Sequence, residues 1–438
     1  MENKTYIEIK SVGPIKDVKI FLNKINLFIG PQSSGKSTIA KVISFCYWLE
    51  KNALTNQGIQ HIDKTFFENK LIVFHKMSSY FSKDSYLKYE GEAIRFEYTP
   101  ESFNIEKTEN FGQLKVGKIA YIPSERNIIS LPGISSLPLP ENNIRNFLFD
   151  WLNIHNKYTK ENAVPLFDLK MKYYFQESSN KDIIVLENNK EISLDEASSG
   201  VQSVVPLYVY LYYYTKWIYD NEEDISFEKK DRIEKAILKN FLSKYINSLD
   251  KSDKLFSDDY FKDFTEEKND LMSKMLYNEL KHTPNKIKEE YLSEIRDNIS
   301  RPHFSNIIIE EPEQNLFPQT QVTLMYDILK NINKDRDSLV ITTHSPYILY
   351  ALNNCMLGWI VKENVPEEDE ECMAQKDSWI NPENVSVWEI KDGKFTPYMD
   401  SENGTIQDKN GLIRNNYFDR IMKNVMADFN SLIGYWDD

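Results

Sequence analysis

The chain opens with short apolar runs of strand length. Residues 5–29 read as two or three strands, with a turn at Gly13-Pro14 and an apolar run, Ile25-Asn-Leu-Phe-Ile29, at their end. The spacing then changes. Thr38-Ile-Ala-Lys-Val-Ile-Ser-Phe alternates as an amphipathic helix does, which predicts a helix over residues 36–50. Residues 65–118 mix apolar runs with alternation, as in Ile94-Arg-Phe-Glu-Tyr98, and predict a small antiparallel sheet. Lys118-Ile-Ala-Tyr-Ile122 is a buried strand ending at Pro123-Ser-Glu-Arg126, and residues 128–140, rich in Ser, Pro and Leu, read as a mobile loop. A helix near 143–157 precedes strands around Lys170–Gln176 and Asp182–Leu186; the turn Glu187-Asn-Asn-Lys190 leads to Ile192-Ser-Leu194. Val204–Tyr219 is apolar, carries five tyrosines before Lys216 and is broken by Pro206, so it reads as a buried helix and not a membrane span.

The second half begins differently. From 222 to 300 the chain is dense in Lys, Glu and Asp with Leu, Ile and Phe at helical spacing, and heptads are not sustained. This is a helical insertion: a solvated charged layer, or an oligomerisation or partner surface. A strand at Asn306–Ile309, a helix over 318–333 and a strand at Ser338–Thr343 follow. Glu367-Glu-Asp-Glu-Glu371 is an exposed acidic loop. Val385–Ile390, the turn Lys391-Asp-Gly393 and Lys394–Tyr398 make a hairpin, and a helix over 415–433 closes the sequence. The expected division is 1–221 and 301–360 as two parts of one head, 222–300 as the insertion, and 361–438 as acidic loop, hairpin and helix completing the head.

Composition narrows the class. At 438 residues with 41% hydrophobic positions there is material for a sizeable core. Lys+Arg 53 against Asp+Glu 67 gives −14, which argues against broad adhesion to nucleic acid or anionic membrane; a local basic groove for DNA stays open. Cys46, Cys355 and Cys372 form no CxxC pair and fit a reducing, cytoplasmic setting. The start carries no signal-peptide pattern, and no membrane association is expected.

The decisive chemistry is Gly30-Pro-Gln-Ser-Ser-Gly-Lys-Ser37, between the Ile25–Ile29 strand and the first helix. Strand, glycine-bounded loop, Lys-Ser and helix is the context that makes P-loop spacing a phosphate site. Gly30, Pro31, Gln32, Ser33, Ser34, Gly35, Lys36, Ser37 and Thr38 are the nucleotide-binding candidates, with Lys36 reaching the β- and γ-phosphates and Ser37 on Mg²⁺. Glu310-Glu311 ends an apolar strand, where open α/β sheets place ligands, and could supply one acid near Mg²⁺ and one to position water. The side chains of such neighbours should diverge by strand alternation. His344 ends the next apolar strand, placed to donate to a γ-phosphate oxygen. Ala197-Ser-Ser-Gly-Val-Gln-Ser203 offers small residues at a helix N-terminus. Arg126 could sense phosphate or a partner, or make a structural salt bridge.

The order of these segments resembles the ABC-type ATPase head shared by transporters, SMC and Rad50-like proteins and the RecF group. Glu310-Glu-Pro-Glu-Gln-Asn-Leu-Phe-Pro318 and Thr343-His-Ser-Pro-Tyr-Ile-Leu349 are similar to the OLD (overcoming lysogenization defect) branch, as in Septu-, PARIS- and retron-linked anti-phage ATPases. Gly13–Val18, Tyr121–Arg126 and Val387–Leu432 are similar to it too. The resemblance implies an α/β P-loop head with a mainly parallel core sheet, a small antiparallel β subdomain and a helical insertion. It implies ATP sandwiched between two heads with Mg²⁺ held by Ser37 and Glu310, Glu311 as general base, and His344 as switch, beside Lys36. Ser199, Gly200 and Gln202 would complete the opposing subunit's site, although Val201 replaces a signature glycine. The expected partners are a second copy, or a higher homo-oligomer, and a separate effector, a nuclease or toxin. No Toprim nuclease pattern follows His344. The implied activity is ATP hydrolysis controlling that effector in bacterial defence; the alternative is a RecF- or SMC-like DNA-repair or chromosome-maintenance head.

Overall fold

The computed structural model describes residues 5–56, 58–111, 115–134, 138–221, 302–333, 335–366, 376–397 and 404–436. The expected 222–300 insertion and the acidic run at 367–371 lie outside these residues.

Among the described residues the frame is one sheet of 11 strands, built from two unlike halves. The antiparallel half runs β6 (Phe103–Lys107), β5 (Ile94–Tyr98), β4 (Phe81–Glu90), β1 (Tyr6–Val12), β2 (Ile15–Phe21). β5 buries every second residue, and β2 buries Ile15, Val18 and Ile20 while its charged positions face out, as a sheet wet on one side requires. The parallel half runs β14 (Val385–Lys391), β3 (Ile25–Ile29), β13 (Ser338–Thr343), β12 (Ser305–Glu310), β7 (Lys118–Ile122). β3 is buried at every position, because helices or strands cover both of its faces. The two-residue strand β15 (Lys394–Phe395) pairs with both β14 and β2 and sutures the halves.

The helix Lys36–Thr55 packs Ile39, Val42, Ile43 and Phe45 with Phe28, Ile308 and Val340, so the P-loop helix lies on one face of the parallel half. On the other face, Asn143–Ile154, Ser199–Tyr212, Pro318–Asn331 and Pro346–Val361 share a core with Leu27, Ile307 and Ile341. A second antiparallel sheet, β8 (Val164–Leu166), β9 (Met171–Gln176), β10 (Lys181–Val185) and β11 (Glu191–Ser193), joins this core through Leu166, Tyr173 and Ile184. The α/β class, the parallel core and the antiparallel subdomain stand as expected.

Four expectations are corrected. The hairpin is present as β14 with the two-residue β15, Tyr398 lying outside the described residues, but β14 is also a core strand, paired in parallel along β3. The segment 65–118 is sheet only over β4 to β6, after helical turns at Lys64–Val73. The stretch after β7 is a 3₁₀ turn at Ser124–Ser130 before the chain becomes irregular. Ser199–Tyr212 continues through a wide π turn at Tyr213–Trp217, so the predicted helix begins earlier than Val204.

Candidate nucleotide site

Parallel pairing aligns strand ends. Thr343 lies beside Ile29, Glu310 beside Thr342, and Ile309 beside Ile122. The segments leaving β3, β7, β12 and β13 therefore emerge together at one edge, where strand C-termini of α/β sheets meet ligands.

The loop after β3 is bent by residues at positive φ: Gly30 at 150°, Ser33 at 60° and Gly35 at 105°. A Cβ on Gly30 would lie 2.4 Å from the Ile390 carbonyl oxygen, and one on Gly35 would lie 2.3 Å from Ile15 Cδ1. Gly30 is therefore dictated by space as well as by φ, because it meets backbone, whereas at Gly35 the positive φ is the stronger constraint. Gln32 and Ser33 are exposed, Pro31, Ser34 and Ser37 half-buried, and Thr38 buried. Gly35 caps the helix without a side-chain bond, so the first amides of Lys36–Thr55 have no side-chain acceptor there and face the loop. Lys36 is 4% exposed. Its Nζ donates to the Gly30 and Pro31 carbonyls, both at 2.9 Å, and lies 3.4 Å from His344 Nδ1. Burial depresses its pKa to about 8, against the pull of Glu311 and Glu313.

The two strand-end carboxylates part, although strand alternation is not what separates them. Glu310, the last residue of β12, is 3% exposed and accepts a hydrogen bond from the Tyr121 hydroxyl; burial pushes its carboxyl up. Glu311 has left the strand at φ 46°, a left-handed backbone that non-glycine residues rarely adopt, while its N–H still reaches the Thr342 carbonyl at 2.9 Å. That turn sends its carboxylate to His344 Nε2 at 3.5 Å, and the imidazole holds it below the ordinary glutamate range. One imidazole thus stands between the P-loop lysine and the second acid.

Glu313 was not singled out by residue chemistry, although it stands in the Glu310–Pro318 motif. Its Oε1 accepts the His344 backbone N–H at 2.6 Å, its Oε2 is buried without a hydrogen-bond partner, and burial pushes its carboxyl up. It therefore fixes the backbone of the histidine. Arg126 is likewise unlike either expectation. It is 0% exposed, and its guanidinium donates to the carbonyls of Ser203 and Glu310 at 2.9 Å, Glu311 at 2.8 Å, Pro123 at 3.3 Å and Pro312 at 3.4 Å. These are neither phosphate-facing donors nor a salt bridge. Burial lowers its pKa to about 10, which leaves it charged near neutrality.

Ser199, Gly200 and Gln202 open the helix Ser199–Tyr212. Gly200 packs on the turn after Glu313, where a Cβ would come 2.9 Å from the Asn315 carbonyl, and Asn315 Nδ2 donates to Ser203 Oγ at 2.9 Å. Gln202 Nε2 donates to the Asp195 carbonyl at 3.0 Å. This segment is tied to the Glu310–Asn315 backbone of its own chain by Arg126 and Asn315, links the sequence did not disclose. Among the described residues no three or more His, Cys, Asp or Glu gather as a metal cluster, and no helix is long and apolar enough to cross a membrane.

No family model and no curated protein matches the chain. Solved structures align with it distantly. The SMC head domain from Thermotoga maritima is 10% identical at a TM-score of 0.33, over 80% of this chain and 92% of that one. The recombination mediator RecF of the RecFOR pathway is 13% identical at 0.29, over 90% and 98%. An ATP-binding cassette of an ABC transporter, in its ADP conformation, is 10% identical at 0.32, over 90% and 89%. Likenesses at these scores assign no residue a role.

Proposed function

We propose that this chain is an ATP-binding and hydrolysing head of the ABC type. The observation that carries the reading is the run of contacts Lys36–His344–Glu311, which joins the phosphate loop to a strand-end acid across one imidazole. The loop suits a triphosphate: positive-φ residues curl its amides into a concave nest, the helix N-terminus adds partial positive charge, and Lys36 is a desolvated cation now bonded only to neutral main-chain oxygens and its neighbours. Lys36 exchanges those carbonyls for β- and γ-phosphate oxygens. Gly30, Pro31, Gln32, Ser33, Ser34 and Gly35 form the cradle, and Thr38 supports it from the first helical turn.

Mg²⁺ usually binds through one or two carboxylates, substrate phosphates and water, and a Ser37 hydroxyl with the Glu310 carboxylate suits that need. When bound, the ion neutralises charge developing on the transferred phosphoryl group. Glu311, held ionised by His344, is the base that orients and deprotonates water. His344 is the switch that contacts the γ-phosphate and reports it to Glu311. Ser199, Gly200 and Gln202 meet the γ-phosphate held by a second copy, so two shared nucleotides favour the closed dimer and hydrolysis releases it.

The Glu310–Pro318 and Thr343–Leu349 motifs support the further reading that this cycle governs a separate nuclease or toxin in bacterial anti-phage defence. The direct test is phosphate release with Mg²⁺ and ATP, with Lys36→Ala expected to lose nucleotide binding. Failure of the wild type to take up adenine nucleotide in calorimetry would end the proposal. Copurification of the product of a neighbouring reading frame, lost with ADP, tests the effector role separately.

A further inference from the structure

Among the described residues the helix Tyr417–Ile433 is tied down at its start. Asn416 caps it, Asp419 accepts from the Tyr350 hydroxyl at 2.6 Å, Arg420 pairs with buried Glu389, and Phe418 packs on the core. From Ile421 to Trp436 every residue is exposed. A lone helix of this length is marginal in water and draws its stability from packing of an apolar face.

That face is present and regular. Met422, Val425, Phe429 and Leu432 follow one another at steps of three and four residues; Phe418 begins the same spacing but packs on its own core, and Trp436 continues it just past the helix end. Together they follow the alternating four–three spacing that seats one helix against another. Ile421, Met426, Ile433 and Tyr435 widen the stripe; Leu432 is 71% exposed, Trp436 73% and Tyr435 86%. The stripe bares on the order of 1,000 Å², above what a monomer usually leaves bare and comparable with one side of a standard interface.

We propose that this helix pairs in parallel with the same helix of a second copy, independently of nucleotide. The seam carries no charge at its core positions. The helix's four charged residues, Asp419, Arg420, Lys423 and Asp428, cancel in a chain whose net charge is −14, so two copies meet here with least repulsion. Parallel register faces Asp428 with Ile433, whereas antiparallel register centred on the seam would oppose Asp428 to Asp428, which settles the direction.

The test uses the full chain without nucleotide, in a Cys372→Ser background; Cys46 and Cys355 are buried. Val425→Cys, on the seam, should oxidise to a covalent dimer, and Asn424→Cys, off the seam, should not. Phe429→Asp should raise the dimer dissociation constant at least 100-fold in sedimentation, with ATP binding unchanged. A wild type monomeric at tens of micromolar overturns the pairing, as it would if residues 222–300 or another protein covered the seam. Equal crosslinking of both cysteine variants, or a dimer indifferent to Phe429→Asp, also overturns it. Because no nucleotide is present, these results stand apart from whether the chain hydrolyses ATP.

Discussion

The two halves of the large sheet treat charge in opposite ways. In the antiparallel half, lysines at the wet face meet acids of the same half: Lys10 reaches the buried Glu8 at 2.7 Å, and Lys88 meets the more open Glu90 at 2.9 Å and Glu97 at 3.5 Å. In the parallel half the ionisable groups are sunk at the strand ends, and their partners are mostly main chain: Lys36 on loop carbonyls, Arg126 on five carbonyls, Glu313 on an amide. Exposed pairs contribute little, because water competes for both members. Buried ions held by backbone dipoles are costly to place and so fix geometry, which catalysis needs.

If that contrast is right, substitutions should separate by half. Glu311→Gln should lower ATP hydrolysis about 1,000-fold while ATP is retained and a nucleotide-dependent dimer accumulates, read by phosphate release and light scattering. Hydrolysis at the wild-type rate would remove Glu311 from its role. Arg126→Met leaves five carbonyls short of their donor and should cost about 3 kcal/mol in urea unfolding. Glu313→Gln should reduce kcat about tenfold with KM unchanged, and should add little in a His344→Ala background, as expected of a positioning group acting through that residue.

Acidity sharpens the comparison further. Lys36 is depressed from 10.5 to about 8, so above pH 8 the free site holds a neutral amine, and binding phosphate must take up a proton. ATP affinity should fall as pH rises through 8, by up to tenfold per unit in fluorescent-nucleotide titrations, and Lys36→Arg, whose charge does not titrate there, should flatten the profile. The sign for folding is opposite: between pH 8 and 10.5 the unfolded chain binds more protons at this lysine, so its burial penalty fades and the ligand-free protein gains stability. At the far end, Lys88→Ala in the antiparallel half should shift stability by no more than about 0.5 kcal/mol and leave hydrolysis unchanged.

How much was legible follows the same division. Alternation in Ile94–Tyr98 and continuous apolarity in Ile25–Ile29 report which sheet faces are covered, so strands and class could be read. The P-loop could be proposed from its spacing between a strand and a helix, and Glu310-Glu311 and His344 from charged or titratable side chains at the ends of apolar strands. β14 misled, since the Lys391-Asp-Gly393 turn signals a hairpin and nothing local says that Val385–Lys391 will lie along β3, more than 350 residues away. The left-handed backbone at Glu311 was equally hidden: no glycine marks it, and the surrounding structure imposes it. Arg126 was noticed but its partners are carbonyls, which have no sequence signature. Glu313 stands within Glu310–Pro318, yet only the approach of the His344 backbone N–H gives it work.

The suture of β3 by β14 also bears on how the molecule is made. Both flanks of the phosphate-loop strand come far after it in the chain, at 338–343 and 385–391, so the edge that β14 covers stays open while more than 350 further residues are added. At 5–20 residues per second that wait is on the order of 20–70 s, during which a strand destined to be buried at every position must find neither a neighbouring nascent chain nor itself. Synthesis of this protein therefore depends on whatever shields that edge.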